Sequence, residues 1–241
     1  MSLLSVVNDV CRVVGVHEMT SVINDTRNPR TAAEMRSLAN EMAQRIAYDT
    51  REWIVLTQGW KMDGDGVKED FGLPLDYQRM LLTSNVYRST APMTPMIFIN
   101  NPDEWLHRRL LNYNDPRGEW ALLQNPDSGA RTMFIRPIMG AGISAAFVFL
   151  SKNCIKSASG GFSSEFTADT DTFRLPERLL KLGMIWQWKA QKGSPYAEDM
   201  ASYEDALRRV AGADRPAPII VDRLPISQNA RVAFPWPSTW P

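Results

Sequence analysis

One predicted helix in this sequence carries large aromatic side chains on two faces. The segment FRLPERLLKLGMIWQWKAQKG, residues 173–193, has Pro176 where a first helical turn accepts proline and Gly193 where a helix ends. Trp186 and Trp188 are two residues apart, so on a helix their side chains point about 200° away from each other. A surface helix has one apolar stripe, whereas this helix needs cover on both sides.

Two explanations account for the second apolar face. The helix is either the centre of a core formed by its own chain or a helix that meets another subunit on one side. Lys189 and Lys192 are close to Trp188 in the sequence, which indicates that this side of the helix is only partly shielded from solvent. Tryptophan is favoured at interfaces because it joins a large apolar body to one N–H donor. Together with two tyrosines that follow, the candidate subunit-interface residues are Trp186, Trp188, Tyr196 and Tyr203.

Periodicity predicts helices near both ends of the chain and strands between them. Apolar residues at helical spacing, with N-caps and helix-ending glycines, predict helices over 3–14, 29–53, 176–192 and 195–211. From about 78 to 150 the pattern changes to short β-like runs such as RMLLTSNVY, EWALLQ and RTMFIRPIM, with one short helix capped by Asn101. The stretch 61–75 before it is rich in Gly and Asp and predicts an extended or turn segment.

These elements predict an α+β fold. Its N-terminal and C-terminal helices form a helical bundle, and a central antiparallel β-hairpin or sandwich region lies between them in the sequence. Residues 1–215 form one folded domain in this prediction, and residues 216–241 form an extended C-terminal arm.

The predicted arm has an unusual composition. Its six prolines exclude a helix and disfavour a central strand. Its aliphatic and aromatic residues are nevertheless too frequent for a solvated disordered tail. We expect the arm to lie on a partner or on the next subunit, with Phe234, Trp236 and Trp240 as its anchors. The alternative is that the arm folds back on its own domain.

Composition excludes several classes of protein. The 27 basic residues balance 27 acidic residues, so nothing indicates bulk electrostatic binding to nucleic acid or membrane. Two cysteines and two histidines do not form a disulfide framework or a zinc cluster, and this usage fits a reducing compartment. The longest apolar runs are shorter than a membrane span and the N-terminus lacks a basic leader region. We therefore expect a soluble protein made in the cytoplasm.

Two short motifs match binding signatures only loosely. DGDG at 63–66 is similar to a calcium loop, but Lys68 occupies the position where that loop needs glycine, which favours a simple turn. The run 140–145, GAGISA, fits the loose dinucleotide fingerprint, but a strand-like run follows it instead of a helix. A hairpin turn is the favoured interpretation there.

Isolated polar residues give equally weak catalytic signals. Asp169 and Asp171 could be paired carboxylates, or acidic residues that favour the positive end of the helix after Pro176. Cys154 is either a reactive thiol or a small half-buried hydrophobe. The basic run from His107 to Arg109 could contact phosphate or acidic groups of a partner, or could be a solvated helix face. We predict no catalytic residue, no cofactor and no metal site.

The chain resembles a known family in the order of its motifs. LPERLLKLGMIWQWKAQKGSPYAEDMASYEDAL (175–207) is similar to the tryptophan-bearing helix and following Tyr-containing helix of head-to-tail adaptor proteins of short-tailed bacteriophages. These proteins are also called connector, head completion or tail tubular A proteins. FGLPLDYQRM (71–80) resembles the family's entry into its first strand, and RTMFIRPIMGAGISAAFVFLSKN (131–153) resembles its β-hairpin. The similarity runs from about residue 3 to residue 212.

The resemblance implies a structural virion protein that is not an enzyme. Family members form rings, usually dodecamers, beneath the portal, where they join head to tail and extend the DNA channel. The implied partners are copies of the same chain, the portal protein, tail nozzle or tail fibre proteins, and double-stranded DNA that passes without sequence recognition, and no membrane is implied. The implied location is the head–tail junction of the virion. A neutral chain fits this role because a strongly basic bore would retain DNA.

Two other classes of function stay open at the sequence level. One is a different tail component, such as a nozzle or tail-completion protein. The other is a virion-associated hydrolase, which would need a nucleophile–base pair or a carboxylate dyad in a pocket.

Overall fold

The computed structural model describes residues 1–90, 94–125 and 129–214. Its helices are α1 (Leu3–Val14), α2 (Pro29–Gln44), α3 (Pro102–Leu110), α4 (Glu177–Gln191) and α5 (Ala197–Asp214). Several mostly antiparallel sheets lie between α2 and α4 in the sequence, so the fold is α+β, as predicted. The predicted arm, residues 216–241, lies outside the described residues.

Helix α4 is the central helix of the bundle. It packs against α1, α2 and α5, and its buried residues join those of α1 and α2 in one core. Gly183 allows close packing at the middle of α4, because an added Cβ would lie 2.4 Å from Met42 Cε and 3.4 Å from Tyr203 Cε2. A helix covered by three neighbours can be apolar around most of its circumference, which explains the two tryptophan-bearing faces.

Local signals account for the bounds of α1. Ser2 caps its N-terminus by accepting a 3.4 Å hydrogen bond from the N–H of Ser5, and Gly15 ends it with a left-handed φ of 74°. The first free N–H groups of the helix, those of Leu3 and Leu4, donate to main-chain carbonyls just before α4. The predicted helix over 3–14 is therefore confirmed.

The helix predicted over 29–53 ends earlier than expected. A π-helical turn, Arg45–Asp49, follows α2, and a single 3-10 turn, Ile54–Leu56, comes after a break. The carbonyl of Ile46 accepts from the Thr50 hydroxyl at 2.6 Å and from Trp53 Nε1 at 2.7 Å. In a continuing α-helix the N–H of Thr50 would donate to the carbonyl of Ile46. Because the two side chains already donate to this carbonyl, the helix does not continue past Thr50.

The last two helices lie close to their predicted positions. α4 is one residue shorter at each end than the prediction of 176–192, and Pro176 is its N-cap residue. α5 begins two residues later than predicted and continues through Gly212 to Asp214. The glycine does not end α5, so the prediction that placed the end at 211 is wrong by one turn.

Among the described residues, the β region contains eleven short strands in three sheets. The strands are β1 (Thr57–Asp63), β2 (Asp70–Gly72), β3 (Tyr77–Met80), β4 (Tyr87–Arg88), β5 (Ile97–Phe98), β6 (Glu119–Gln124), β7 (Arg131–Arg136), β8 (Ser144–Ser151), β9 (Ile155–Lys156), β10 (Phe162–Ser163) and β11 (Thr172–Phe173). The first sheet has the order β1-β8-β3, with β4 also paired to β8, and the second has the order β2-β7-β6-β5. The third sheet, β10-β9-β11, is small. All described pairings are antiparallel except β5 with β6.

The observed β region is longer than the predicted range of about 78–150. It begins at Thr57 with β1 and ends with β11, so the segment 61–75 contains strand as well as turn. The run RMLLTSNVY (79–87) is not one strand, because a turn after β3 closes with a hydrogen bond from Ser84 N to Leu81 O. Both differences concern strands with weak alternation, where exposed polar residues hide the period-2 pattern.

The two larger sheets pack face to face as a sandwich. Phe147 and Phe149 of β8 meet Met133 and Ile135 of β7 in its core. The opposite face of β7 and β6 is covered by α3, whose Trp105 packs with a smaller cluster around Ala121. None of the described helices is long and apolar enough to cross a membrane.

Candidate interaction surface

Trp188 is covered by its own protomer. Only 7% of its surface is exposed, and it belongs to the main helical core. The ammonium group of Lys192 lies 4.5 Å from the ring centroid, on the side where the sequence predicts partial hydration. The lysine completes the cover of this face, so Trp188 has little surface to offer a neighbouring subunit.

Trp186 lies on the opposite face of α4, in an aromatic cluster with α5. Its ring centroid is 6.5 Å from that of Tyr196 and 6.2 Å from that of Tyr203. The guanidinium of Arg45 lies 5.8 Å from the Trp186 ring centroid, a contact between distant parts of the chain that no local sequence signal indicates. Trp186 is partly buried, and among the described residues its indole Nε1 has no hydrogen-bond acceptor.

The structure therefore separates the four predicted interface residues. It brings Trp186, Tyr196 and Tyr203 together and places Trp188 elsewhere. Tyr203 is 6% exposed, whereas Tyr196 is 42% exposed at the start of α5. Their role between subunits stays a prediction, and Tyr196 is the member of the set with the most surface available for it.

The two acidic residues before α4 hold the bundle together. The Asp169 carboxylate accepts hydrogen bonds from Val22 N at 2.7 Å, Ile23 N at 3.1 Å and the Ser21 hydroxyl at 2.5 Å. The Asp171 carboxylate is buried and accepts from Thr167 and Ala168 in its own turn. Both carboxylates stabilise backbone turns, and both main-chain carbonyls receive N–H groups of α1. The expectation that they favour the N-terminus of α4 is replaced by this role at α1.

Cys154 is a structural thiol. It is buried, and the Tyr48 hydroxyl donates to its Sγ at 3.7 Å. Burial raises the pKa of Cys154, so the thiol form is favoured and its reactivity is low. No three His, Cys, Asp or Glu side chains lie close enough to hold a metal ion in the parts of the chain that the structure describes.

The two arginines of the basic run on α3 are paired within the protomer. Arg108 donates to Glu104 at 2.6 Å and to the fully buried Glu119 at 2.6 Å, and these bonds raise the pKa of its guanidinium. Arg109 approaches Glu69 at 3.4 Å. The charges that could have met phosphate are already compensated by neighbouring carboxylates.

The outer face of α3 is apolar and exposed. Trp105 packs inward, whereas Leu106 and Leu110, spaced i and i+4, are 52% and 77% exposed. Leu111, the next residue, is also exposed. We call these three leucines the α3 leucine surface. Their spacing is visible in the sequence, but only the direction of Trp105 shows that they point away from the core.

A second exposed apolar region lies on the first sheet of the sandwich. A groove of about 600 Å³ runs over β1, β8 and the turn before β4. Trp60, Tyr87 and Val148 line it and are each more than a third exposed. Apolar surface in such a groove, outside any core, is typical of sites that bind another molecule.

No known protein family matches the sequence, and no curated protein is recognisably similar to it.

Proposed function

We propose that the protein is a structural virion component that forms a ring, most simply a dodecamer, beneath the portal of a short-tailed bacteriophage. In this role it joins head to tail and extends the DNA channel. The observation that carries the proposal is the amount of apolar side chain that lies outside the cores on defined surfaces, most clearly the α3 leucine surface.

The shape of a ring interface explains why two unlike apolar surfaces would be useful. In a closed ring each subunit contacts its neighbours through two different patches. The α3 leucine surface belongs to the β region, whereas the exposed side chain of Tyr196, just before α5, belongs to the helical bundle. Two such patches on separate parts of one protomer fit a head-to-tail contact between copies better than a two-fold contact.

The arm would then serve for docking to the portal. Residues 228–241 contain Phe234, Trp236 and Trp240, which are suited to anchor in apolar pockets of a partner. Deletion of 228–241 should abolish attachment to the portal protein encoded in the same genome while the domain still folds. Unchanged attachment would refute the docking role of the arm.

The ring is tested by mass photometry and electron microscopy of the full chain, alone and with that portal protein. The proposal expects twelve-fold rings that cap the portal. A double variant, Leu106→Asp with Leu110→Asp, should lower ring formation at least about tenfold, since a charge replaces each apolar contact. The matched control is Leu75→Asp, at a site that is 96% exposed in a turn of the β region.

Other outcomes separate the alternatives. A six-fold tube would identify a nozzle-type tail component. A monomer that stays monomeric beside the portal and hydrolyses a cell-wall or polysaccharide substrate would support an enzyme instead.

A further inference from the structure

The described chain ends beside an open groove. The described part of α5 ends at Asp214, and a groove of about 520 Å³ lies between this part of α5, the turn at 53–56 and the N-terminus of α4. Its apolar lining residues are Trp53, Val55, Phe173, Leu175, Val210 and Ala213. We call it the α5-end groove. Val55 at its edge and the neighbouring Ile54 are 48% and 54% exposed.

The end of α5 is fixed in position next to this groove. The Asp214 carboxylate accepts from Ile54 N at 3.2 Å and lies 3.7 Å from the Arg51 guanidinium, which also donates to the carbonyl of Ala211. Asp214 itself lines the groove. The chain therefore continues from a point at the rim of the groove.

The sequence that follows supplies suitable side chains within reach. After Asp214 it reads RPAPIIVDRLPI, so Ile219, Ile220 and Val221 come five to seven residues later. Five residues span up to about 17 Å at roughly 3.3 Å per residue, which is enough to cross a groove of this size. Aliphatic side chains in this groove would cover Val55, which is 48% exposed, and would pack beside Leu175 and Phe173, which are already buried.

We propose that residues 219–221 of the same chain bind in the α5-end groove. A segment joined to the rim by a few residues has an effective concentration in the millimolar range, which favours it over the same segment of a second copy. The proposal does not depend on the ring: it fixes the first part of the arm to its own domain and leaves 228–241 to reach a partner. The first part of the arm would then fold back on its own domain and the last part would lie on a partner, so both alternatives that the sequence leaves open for the arm would apply.

Cysteine cross-linking in the full chain tests the contact. Val55→Cys combined with Ile220→Cys should form an intramolecular disulfide under mild oxidation, and Leu75→Cys combined with Ile220→Cys should not. Both native cysteines are free and buried, so they interfere little. The cross-link is measured by mass spectrometry of the monomer. Failure to form it, equal yield in the control pair, or a disulfide between two chains would each overturn the proposal.

Hydrogen exchange provides an independent measurement. Ile219→Asp, Ile220→Asp and Val221→Asp together should speed amide exchange in residues 53–57 at least about threefold, because water gains access to the groove. The matched control places the same charges in the polar stretch of the arm, with Ser227→Asp, Gln228→Asp and Asn229→Asp. Unchanged exchange in the first variant, or equal acceleration in both, contradicts binding by residues 219–221.

Discussion

The main-chain carbonyl of Asp171 accepts a 2.8 Å hydrogen bond from the N–H of Leu3. The residue two positions earlier, Asp169, accepts from Leu4 in the same way at 3.2 Å. The first turn of α1 is thus capped by the segment that leads into α4, and not only by its own Ser2. This relationship ties the two ends of the described chain into one bundle.

Asp169→Ala should lower the free energy of unfolding by about 2–4 kcal/mol, because it leaves the N–H groups of Val22 and Ile23 without their charged acceptor. Asp169→Asn keeps an oxygen acceptor and should cost less than half as much. Urea denaturation followed by circular dichroism measures both. Asp65→Ala is the control, since its carboxylate bonds the N–H groups of an exposed turn. An Asp169→Ala protein as stable as the control would contradict a stabilising role for the hydrogen bonds from Val22 and Ile23 to Asp169.

Gly183→Leu should destabilise the bundle by about 1–3 kcal/mol or more, since the side chain would enter the space filled by Met42 and Tyr203. Gly212→Ala is the matched control inside α5, where an added Cβ meets nothing within 4 Å. That change should stabilise the protein by up to about 1 kcal/mol through helix propensity. Thermal unfolding distinguishes the two directions, and equal effects at both sites would exclude close packing at Gly183.

The ion pair between Asp9 of α1 and Lys181 of α4 predicts a pH dependence. Lys181 donates to the Asp9 carboxylate at 2.8 Å, and this hydrogen bond lowers the pKa of Asp9 below its ordinary value. A carboxyl with a depressed folded-state pKa contributes stability above its unfolded pKa and loses it as the pH falls. Asp9→Asn should therefore cost about 0.5 kcal/mol at pH 7, a small value because the pair is partly exposed.

The difference in free energy of unfolding between Asp9→Asn and the unmodified protein should shrink as the pH falls below 3.8, the ordinary pKa of the carboxyl, and through its lowered folded-state pKa. Urea titrations at a series of pH values measure it. High salt should reduce it at pH 7. If Asp9→Asn lowers the free energy of unfolding by the same amount at every pH, Asp9 acts through packing and not through its charge.

The aromatic residues of α4 and α5 predict separate effects on folding and assembly. Trp188→Ala should lower the free energy of unfolding by about 3–5 kcal/mol because the indole is buried in the core. Tyr196→Ser should change it by less than about 1 kcal/mol and instead weaken association of the protomers. Chemical denaturation and sedimentation velocity measure the two quantities. Unaltered association after Tyr196→Ser would remove this tyrosine from the interface prediction.

Much of the helical part could be predicted because its signals are local. Ser2 and Gly15 define α1, and Asn101 caps α3 by accepting from Asp103 N. The end of α2 could not be predicted, because it depends on an indole seven residues away that bonds the carbonyl of Ile46. The strand β1 was missed for a related reason. It pairs with β8, more than eighty residues later, and its own sequence scarcely alternates.

The candidate interaction surface also has features that the local sequence predicts and features that depend on tertiary packing. The presence of aromatic residues on two faces of α4 is a property of the sequence, and it correctly indicates that both faces need cover. Which molecule provides that cover depends on tertiary packing, and for Trp188 it is the protomer itself. The exposure of Leu106 and Leu110 does not follow from their spacing alone, because it depends on Trp105 packing into a core on the other side of α3.

The order of elements along the chain has a consequence for biosynthesis. The bundle is built from α1 and α2 at one end of the sequence and α4 and α5 at the other, with the whole sandwich between them. A ribosome must add roughly 150 residues after α2 before the central helix α4 is complete, which takes roughly 7–30 s at 5–20 residues per second. During that interval the apolar sides of the first two helices lack their partner α4, so nascent chains of this protein are expected to engage a holdase chaperone until α4 emerges.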